Sequence, residues 1–335
     1  MILVTGGTGL VGSHLLLELA LKNKAIKAIY RDEKKLTTVK KIFSYYNKNS
    51  EELFNKIEWV QADLLDIPLL IDAFKNVKYV YHCAALVSFE PNKYHELRKT
   101  NIEGTANIVN LCASSQVEKL CYVSSIATLG KTLDNTDVDE DTIWNPESDN
   151  SLYGITKYGA EMEVWRGIQE GLNAVIVNPG VILAPGIWNY GSGHIFKKVY
   201  NGLAYYTEGT TGYIDVFDVV NSMIQLMESS TKNERFVLVA ENQSYKNFII
   251  EVANSLQVKR PTKKAKVFLL SIAWRMDWLK SKLTGERRIL SKQLANTLVT
   301  STTYSSDKIK TLLDIQFKPV NKSIEEVSKK FLKEH

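Results

Sequence analysis

The chain opens with a short apolar run, MILVT, that passes directly into the glycine-rich segment TGGTGLVG. Gly6, Gly9 and Gly12 recur at three-residue spacing, and a segment of helical period, LVGSHLLLELAL, follows at once. Glycine at such positions permits a tight turn and lets a pyrophosphate approach the backbone, while the start of the helix offers free N–H groups. The first 21 residues therefore predict a strand–turn–helix unit that binds a dinucleotide.

Short apolar runs alternate with segments of helical period through the first half of the chain. The predicted strands are 1–5, 25–30, 56–61, 78–84, 119–125 and 173–178. The predicted helices are 10–21, 33–46, 66–76, 101–115 and 153–171. Strand–helix alternation favours parallel strands joined by right-handed crossovers, with helices on both faces. We predict an α/β fold, a doubly wound parallel sheet of Rossmann type with a smaller C-terminal substrate lobe.

The regular rhythm weakens after Pro179, where glycine and aromatic residues fill 180–213 and a strand-like FVLVA follows. We therefore predict a dinucleotide-binding domain over 1–180 and a mainly substrate-binding lobe over 181–335. Segments around 214–240 are expected to return to the main sheet.

Composition limits the class of function. The chain has 335 residues, of which 24% are charged, and a net charge of +5, too small to indicate nucleic-acid binding. Three cysteines without CxxC spacing, Cys83, Cys112 and Cys121, indicate buried reduced thiols and a cytoplasmic protein. Histidine and cysteine form no ligand pattern, so no metal is expected. No apolar run reaches the roughly 18 residues of a membrane span, and no secretory signal is expected after Met1.

A basic stretch, KRPTKKAK at 259–266, leads into the Trp-bearing segment VFLLSIAWRMDWL. We interpret it as a lobe helix with a solvated lead-in. The alternative is a helix lying on an anionic membrane surface.

The end of the second predicted strand indicates which dinucleotide is bound. An acidic residue usually stands there to accept a hydrogen bond from the ribose 2′-OH. Here the residue is Arg31, whose guanidinium suits a 2′-phosphate, so NADP(H) is favoured while NAD(H) stays possible. Asp32 is the alternative ribose ligand.

The segment YGITK places Tyr153 four residues before Lys157, on one face of a predicted helix. Taken alone, such a pair is typical of a solvated surface.

Several segments in order together resemble the extended short-chain dehydrogenase/reductase family, which includes the NAD-dependent epimerases and dehydratases. They are TGGTGLVGSHL, ADLLD (62–66), VYHCAA (80–85), TNIEGTANIV (100–109), YVSSIATLG (122–130), YGITK (153–157) and NPGVILAPG (178–186). The resemblance covers roughly residues 1–240 and is loose beyond.

The resemblance implies a set of site residues. The catalytic residues would be Ser125, Tyr153, Lys157 and the supporting Asn101. The cofactor would contact Thr5, Gly6, Gly7, Thr8, Gly9, Leu10, Val11, Gly12, Arg31, Asp63, Leu64, Ala84, Ala85, Ser124, Tyr153, Lys157, Pro179, Gly180 and Val181. A homodimer formed through the helix of Tyr153 is implied by the family pattern alone.

Each catalytic residue has a chemical role in this hypothesis. Free tyrosine has a pKa near 10, and a neighbouring ammonium lowers such a pKa by about 1 to 3. Lys157 would tune Tyr153 and hold the nicotinamide ribose. Ser125 would stabilise the substrate oxygen, and Tyr153 would exchange a proton with it.

The substrate class remains open between two groups. Sugar-nucleotide epimerases and dehydratases need arginine forks, and this chain has no arginine between Arg166 and Arg235. Aromatic residues in the same region, and Leu129 before a glycine, favour a small apolar or aromatic substrate, as in dihydroflavonol reductases and 3β-hydroxysteroid dehydrogenases. The substrate is expected to contact Ser88, Ser125, Ile126, Trp188, Tyr190 and His194. A non-catalytic NAD(P)-binding regulator is the remaining alternative.

Overall fold

The computed structural model of the chain describes residues 1–132, 136–284, 288 and 290–335. The strands are β1 (Ile2–Thr5), β2 (Ile26–Tyr30), β3 (Ile57–Gln61), β4 (Tyr79–His82), β5 (Lys119–Val123), β6 (Ala174–Pro179), β7 (Val181–Leu183), β8 (Tyr205–Tyr206), β9 (Thr210–Asp215), β10 (Glu234–Leu238), β11 (Glu241–Ser244) and β12 (Lys263–Lys264). The helices are α1 (Leu10–Leu21), α2 (Leu36–Ser44), α3 (Ser50–Asn55), α4 (Ile67–Ala73), α5 (Tyr94–Leu97), α6 (Gly104–Ser114), α7 (Leu152–Gln169), α8 (Gly191–Tyr200), α9 (Val216–Glu228), α10 (Tyr245–Ser255), α11 (Val267–Thr284), α12 (Lys292–Thr297), α13 (Asp307–Leu313) and α14 (Val320–Leu332).

Seven strands form one parallel sheet in the order β10-β6-β5-β4-β1-β2-β3. The order reverses between β1 and β4, so the connections from these neighbouring strands lead to opposite sides of the sheet. In such sheets ligands bind beyond the carboxyl ends of the strands at the reversal. The predicted doubly wound α/β fold is confirmed, and its reversal lies at the glycine-rich turn after β1.

Helices cover both faces of this sheet. On one face α1 packs on the sheet beside α9 and against α2 and α3, so Leu15, Leu16 and Leu17 are all buried and the helix is apolar on most sides. The other face packs against α4, α6 and α7 through residues such as Ile108 and Val164. Burying one such side chain contributes roughly 1.5 to 3 kcal/mol, so the two layers fix the strand ends on which the site is built.

A second core lies in the C-terminal part, where α8, α10 and α14 pack on the small sheet β11-β9-β7. Tyr213 and Phe248 stack at 4.4 Å between ring centroids, and Phe196 and Phe331 complete the cluster. The lobe is thus held by aromatic packing of its own.

The chain re-enters the main sheet after the start of this lobe. Strand β10 pairs in parallel with β6, and α9 packs on α1. Residues 216–238 therefore belong to the main sheet and the helices on it, although the division into 1–180 and 181–335 stays a prediction.

No helix in the described ranges is long and apolar enough to cross a membrane. Within the same ranges, no cluster of three His, Cys, Asp or Glu side chains is arranged to hold a metal ion. Cys112 and Cys121 are buried free thiols.

Candidate active site

The turn between β1 and α1 brings backbone against backbone. Gly6 has a φ of +68°, and the Gly9 amide donates to the Gly6 carbonyl at 2.9 Å. A Cβ on Gly6 would lie 2.6 Å from the Ala84 backbone, and one on Gly12 would lie 2.2 Å from the Gly6 oxygen. The turn therefore has no room for side chains, and it leaves the first amides of α1 as donors for a pyrophosphate.

A buried histidine secures this turn from below. His82 on β4 contacts the Thr5 hydroxyl at 2.6 Å and the Thr105 hydroxyl at 3.0 Å. Burial lowers the pKa of His82 to about 3, so the imidazole is neutral and binds β1 to α6 without adding charge near the cofactor turn. Sequence reasoning gave His82 no role.

The ribose end of the predicted cofactor site carries a charged pair. The Arg31 guanidinium lies 3.5 Å from Asp63, and the Arg31 side chain is 66% exposed. Asp32 accepts a hydrogen bond from the Lys34 amide and caps its own turn. At the end of β2, the largely exposed Arg31 side chain is therefore better placed than Asp32 to contact a bound cofactor.

Asn101 clamps two elements of the site. It lies in a π-helical turn, Arg98–Glu103, that interrupts the helix between α5 and α6. Its side chain accepts from the Leu86 amide at 2.8 Å, donates to the Leu86 carbonyl at 3.1 Å, and donates to Thr156 at 3.2 Å. Such π turns are frequent at functional sites, and this one ties the segment after β4 to α7.

Ser125 and Tyr153 meet above the carboxyl end of β5. Ser125 begins a short 3₁₀ turn, where its hydroxyl accepts from the Ala127 amide at 3.1 Å. Burial raises the pKa of Tyr153, and a hydrogen bond with Ser125 opposes that rise. Phe89 lies beside the phenol, with 5.7 Å between ring centroids. A hydroxyl and a phenol thus share one half-buried, partly apolar pocket.

Lys157 lies one turn after Tyr153 on α7 and is 1% exposed. Its ammonium donates to the Tyr122 hydroxyl at 2.6 Å and to the Val123 carbonyl at 2.8 Å. Burial lowers the Lys157 pKa to about 7, while the Glu161 carboxylate opposes that change. The cation is therefore positioned by β5, and its charge is finely balanced near neutral pH.

Glu161, a further turn along α7, is fully buried beneath these residues. One carboxylate oxygen accepts from Ser124 at 2.6 Å, from Thr128 at 2.8 Å and from Asn178 at 2.9 Å. The other lies 3.2 Å from the guanidinium of Arg235 on β10. This carboxylate joins four segments directly behind Ser125.

Arg235 is itself enclosed. Its guanidinium donates to the Glu140 carbonyl at 2.8 Å and leaves the side chain 17% exposed. Arg235 is the first arginine after Arg166 in the sequence, and its guanidinium is already bound to Glu161 and to the Glu140 carbonyl.

The other predicted cofactor residues follow the strand ends. Leu64 lies against Gly104, and Pro179 ends β6. A Cβ on Gly180 would meet the Gly212 carbonyl at 2.5 Å, and Val181 begins β7.

The predicted substrate residues are not all brought together. Ser88 is buried and bonds to the Glu90 amide, and Ile126 packs near Leu129 and Val138. Trp188 lies in the lobe core, where its indole packs on Phe331 and donates to Glu334, so we leave it out of the proposed site.

Tyr190 and His194 lie at the start of α8. Tyr190 is 63% exposed.

Sequence reasoning missed the buried partners of the site: His82, Tyr122, Thr128, Glu161, Asn178 and Arg235. A signal for Glu161 was present, since the four-residue spacing of Tyr153 and Lys157 continues to it on the same helix face.

Comparison with known families supports the fold and the motifs together. Residues 2–239 match the model of the NAD dependent epimerase/dehydratase family. The chain belongs to this family. Its members are NAD(P)-dependent enzymes, so the predicted family and the predicted NAD(P)-dependent enzyme are confirmed at that level.

Curated relatives of this epimerase/dehydratase family member include reductases. A putative dihydroflavonol 4-reductase of Synechocystis sp. is 26% identical over 280 residues, covering 81% of this chain and 77% of the relative. Cinnamoyl-CoA reductase 1 of Petunia hybrida is 25% identical over 273 residues, covering 78% of each chain.

Solved structures extend the likeness beyond the matched region. The crystal structure of gox2253 superposes with a TM-score of 0.82 at 26% identity and covers 100% of this chain and 98% of its own. UDP-glucose 4-epimerase of Thermotoga maritima, solved with UDP-glucose, gives a TM-score of 0.76 at 19% identity and covers 99% of both chains. The second likeness shows the shared fold alone.

Proposed function

We propose that the chain is an NADP(H)-dependent oxidoreductase of the extended short-chain type, acting on a carbonyl or alcohol of a small apolar or aromatic substrate. The observation that carries the proposal is the pairing of Ser125 with Tyr153, one helical turn from the buried ammonium of Lys157. Ser125 follows β5, Tyr153 and Lys157 lie on α7 next to it, and the glycine turn follows β1 of the same sheet.

The glycine turn and the strand ends fit a dinucleotide, because Gly6 and Gly12 lie where no Cβ has room and the first amides of α1 begin beside them. A bound nicotinamide supplies or accepts a hydride. The amides of Leu10, Val11 and Gly12 in the first turn of α1 would hold the pyrophosphate, Asp63 the adenosine end, and Lys157 the nicotinamide ribose.

Proton transfer falls to Tyr153. Burial raises the pKa of Tyr153, so the phenol is protonated at neutral pH and can donate its proton. Ser125 would hold the substrate oxygen as negative charge develops, and Tyr153 would deliver its proton there. For the reverse reaction the phenolate must be stabilised, and the Lys157 ammonium is the cation within the same helix face.

Cofactor preference rests on Arg31. Its exposed guanidinium at the end of β2 suits a 2′-phosphate, and Asp32 is occupied as a cap. Both features favour NADP(H).

The substrate class rests on what surrounds Tyr153. Phe89 lies beside the phenol and is 42% exposed, and Val87, two residues earlier in the chain, is 53% exposed. Arg235 is committed to Glu161 and does not serve a diphosphate. The reductase relatives point the same way. A homodimer in a reducing cytoplasmic compartment completes the proposal.

Replacing Tyr153 with Phe tests the catalytic role. We expect NADPH oxidation on an accepted carbonyl to fall by about 10² to 10⁴, while the NADPH dissociation constant changes little. Tyr158→Phe is the matched control on the same helix, since Tyr158 stacks on Trp144 instead. Retained turnover in the Tyr153 variant would refute the role; cofactor binding without turnover in the wild type, over a broad carbonyl screen, would favour the regulator.

Replacing Arg31 with Ala tests cofactor choice. Affinity for NADPH should fall by about tenfold or more and affinity for NADH should stay unchanged. Asp32→Ala is the companion variant, and a selective loss of NADH affinity there would restore the ribose role to Asp32. Equal losses for both cofactors in the Arg31 variant contradict the proposal.

Substrate class is tested by thermal stabilisation and NADPH consumption across aromatic ketones, aldehydes, sterols and nucleotide sugars. Stabilisation confined to nucleotide sugars overturns the reductase proposal in favour of an epimerase or dehydratase.

A further inference from the structure

Helix α11 rests on the molecule with one face only, and none of its described residues is buried. The half-buried residues of that face are Leu270, Ser271, Trp274, Asp277 and Ser281. Asp277 anchors the face, since it accepts from the Leu290 amide at 3.1 Å. It also acts electrostatically on Lys198 of α8, so the helix adjoins the proposed substrate lobe.

The opposite face carries a continuous apolar stripe that points to solvent. Its members are Phe268, Ile272, Met276, Leu279 and Leu283, which are 72%, 40%, 65%, 51% and 78% exposed. Steps of three and four residues place them along one side of the helix. A lobe helix of the kind predicted from the sequence would bury such a stripe, whereas the stripe of α11 is exposed.

Positive charge lies on both edges of the stripe and in the segment that precedes the helix, where Lys264 pairs with Glu208. Eight cationic residues in this region are all exposed: Lys259, Arg260, Lys263, Lys264, Lys266, Arg275, Lys280 and Lys282. At 3.6 residues per turn, Arg275 and Lys282 border one edge of the stripe and Lys280 borders the other. The one acidic residue of the helix, Asp277, faces the body.

We propose that α11 docks flat on an anionic lipid bilayer, with the stripe in the acyl boundary and the flanking cations among the head groups. Long cationic side chains on both edges of an apolar stripe reach lipid phosphates by snorkelling. Trp278, with Lys282 5.3 Å from its ring centroid, suits the same interfacial depth. The helix is too short and polar to cross the bilayer, which agrees with a flat position.

The proposal is tested by flotation of the full chain with vesicles of phosphatidylcholine, alone or with about one third phosphatidylglycerol. Two double variants remove the two contributions separately: Ile272→Asp with Leu279→Asp, and Lys280→Glu with Lys282→Glu. The matched control combines Leu312→Asp and Lys48→Glu, which change an equally exposed leucine and an exposed lysine elsewhere. Unchanged melting temperature and NADPH affinity show that each variant is folded.

Wild type and control are expected to float with the anionic vesicles and not with the neutral ones, and each helix variant to bind at least about tenfold more weakly. Tryptophan emission should shift to the blue on binding, and the shift should shrink in Trp278→Phe. The proposal fails if the wild type does not float with anionic vesicles or if both helix variants float equally well. It also fails if the stripe variant dissociates a dimer that never binds vesicles, because a second copy then covers the stripe.

Discussion

At the residue scale, the feature with the clearest consequence is a buried cation balanced near neutrality. Burial lowers the pKa of Lys157 to about 7 from 10.5. Between these values the unfolded chain binds a proton that the folded chain does not, so the cofactor-free protein gains stability as pH rises through this window. An anionic cofactor reverses the balance because it favours the ammonium.

We therefore expect cofactor binding at pH 8 to be accompanied by the uptake of nearly one proton per molecule. At pH 6 almost no proton should be taken up, because Lys157 is already charged. Calorimetric titration in buffers of different ionisation enthalpy measures the uptake. Lys157→Met is the control, since it retains the glycine turn and subtracts protons exchanged by the cofactor phosphates. Equal uptake in the variant would assign the proton to another group.

The Glu161–Arg235 pair gives a second expectation. Arg235→Met leaves a buried carboxylate without its cation, and such losses cost about 3 to 5 kcal/mol. Arg166→Met is the matched control, because Arg166 pairs with Glu163 and Glu170 at the surface, where the cost is below about 1 kcal/mol. Urea unfolding measures both. A similar loss of unfolding free energy in the two variants would show that the Glu161–Arg235 pair contributes no more to stability than a surface pair.

At the element scale, two glycines in the turn between β1 and α1 differ in how much space a Cβ would have. A Cβ at Gly12 would overlap the Gly6 carbonyl at 2.2 Å, whereas a Cβ at Gly9 would meet it at 3.2 Å. We expect Gly12→Ala to lower stability by about 1 to 3 kcal/mol and to abolish cofactor binding, with a smaller stability loss for Gly9→Ala. Thermal unfolding and NADPH titration check both, and equal losses would contradict the packing argument.

The same scale shows what sequence could predict. Strands β1 to β6 and helices α1 and α7 follow from apolar period and from the glycine turn, which are local signals. The π turn around Asn101 has no local signal, because the partners of the Asn101 side chain, Leu86 and Thr156, are distant in the chain. The side chain of Glu161 binds residues up to 74 positions away in the chain, so only the assembled strands bring them together. The exposed stripe of α11 was equally hidden, since periodicity does not reveal what a helix face lies against.

At the scale of the whole molecule, α14 links the lobe to the nucleotide-binding layer. Its Phe331 is fully buried in the lobe core beside Trp188. Lys330, adjacent on the chain, bonds to the Tyr45 carbonyl next to α2. The two cores therefore share one helix and should unfold together.

We expect one cooperative thermal transition for the wild type. Phe331→Ala should cost about 3 to 5 kcal/mol and uncouple the lobe, so that a separate early transition appears in calorimetry. Leu332→Ala is the neighbouring control, because Leu332 is 41% exposed. A single transition in the Phe331 variant, displaced no more than in the control, would show that α14 does not couple the two cores.

The buried carboxylate of Glu161 also constrains how this protein can change over generations. Its hydrogen-bond donors come from segments far apart in the chain. Losing one of them leaves the buried carboxylate with fewer hydrogen bonds and lowers the stability of the fold. Substitutions of Asn178, Thr128 or Arg235 should therefore be kept only together with a compensating substitution. Residues on the solvent side of the lobe can change without such a requirement. If the lobe binds the substrate as proposed, new substrate preferences would arise there while Ser125, Tyr153 and Lys157 stay unchanged.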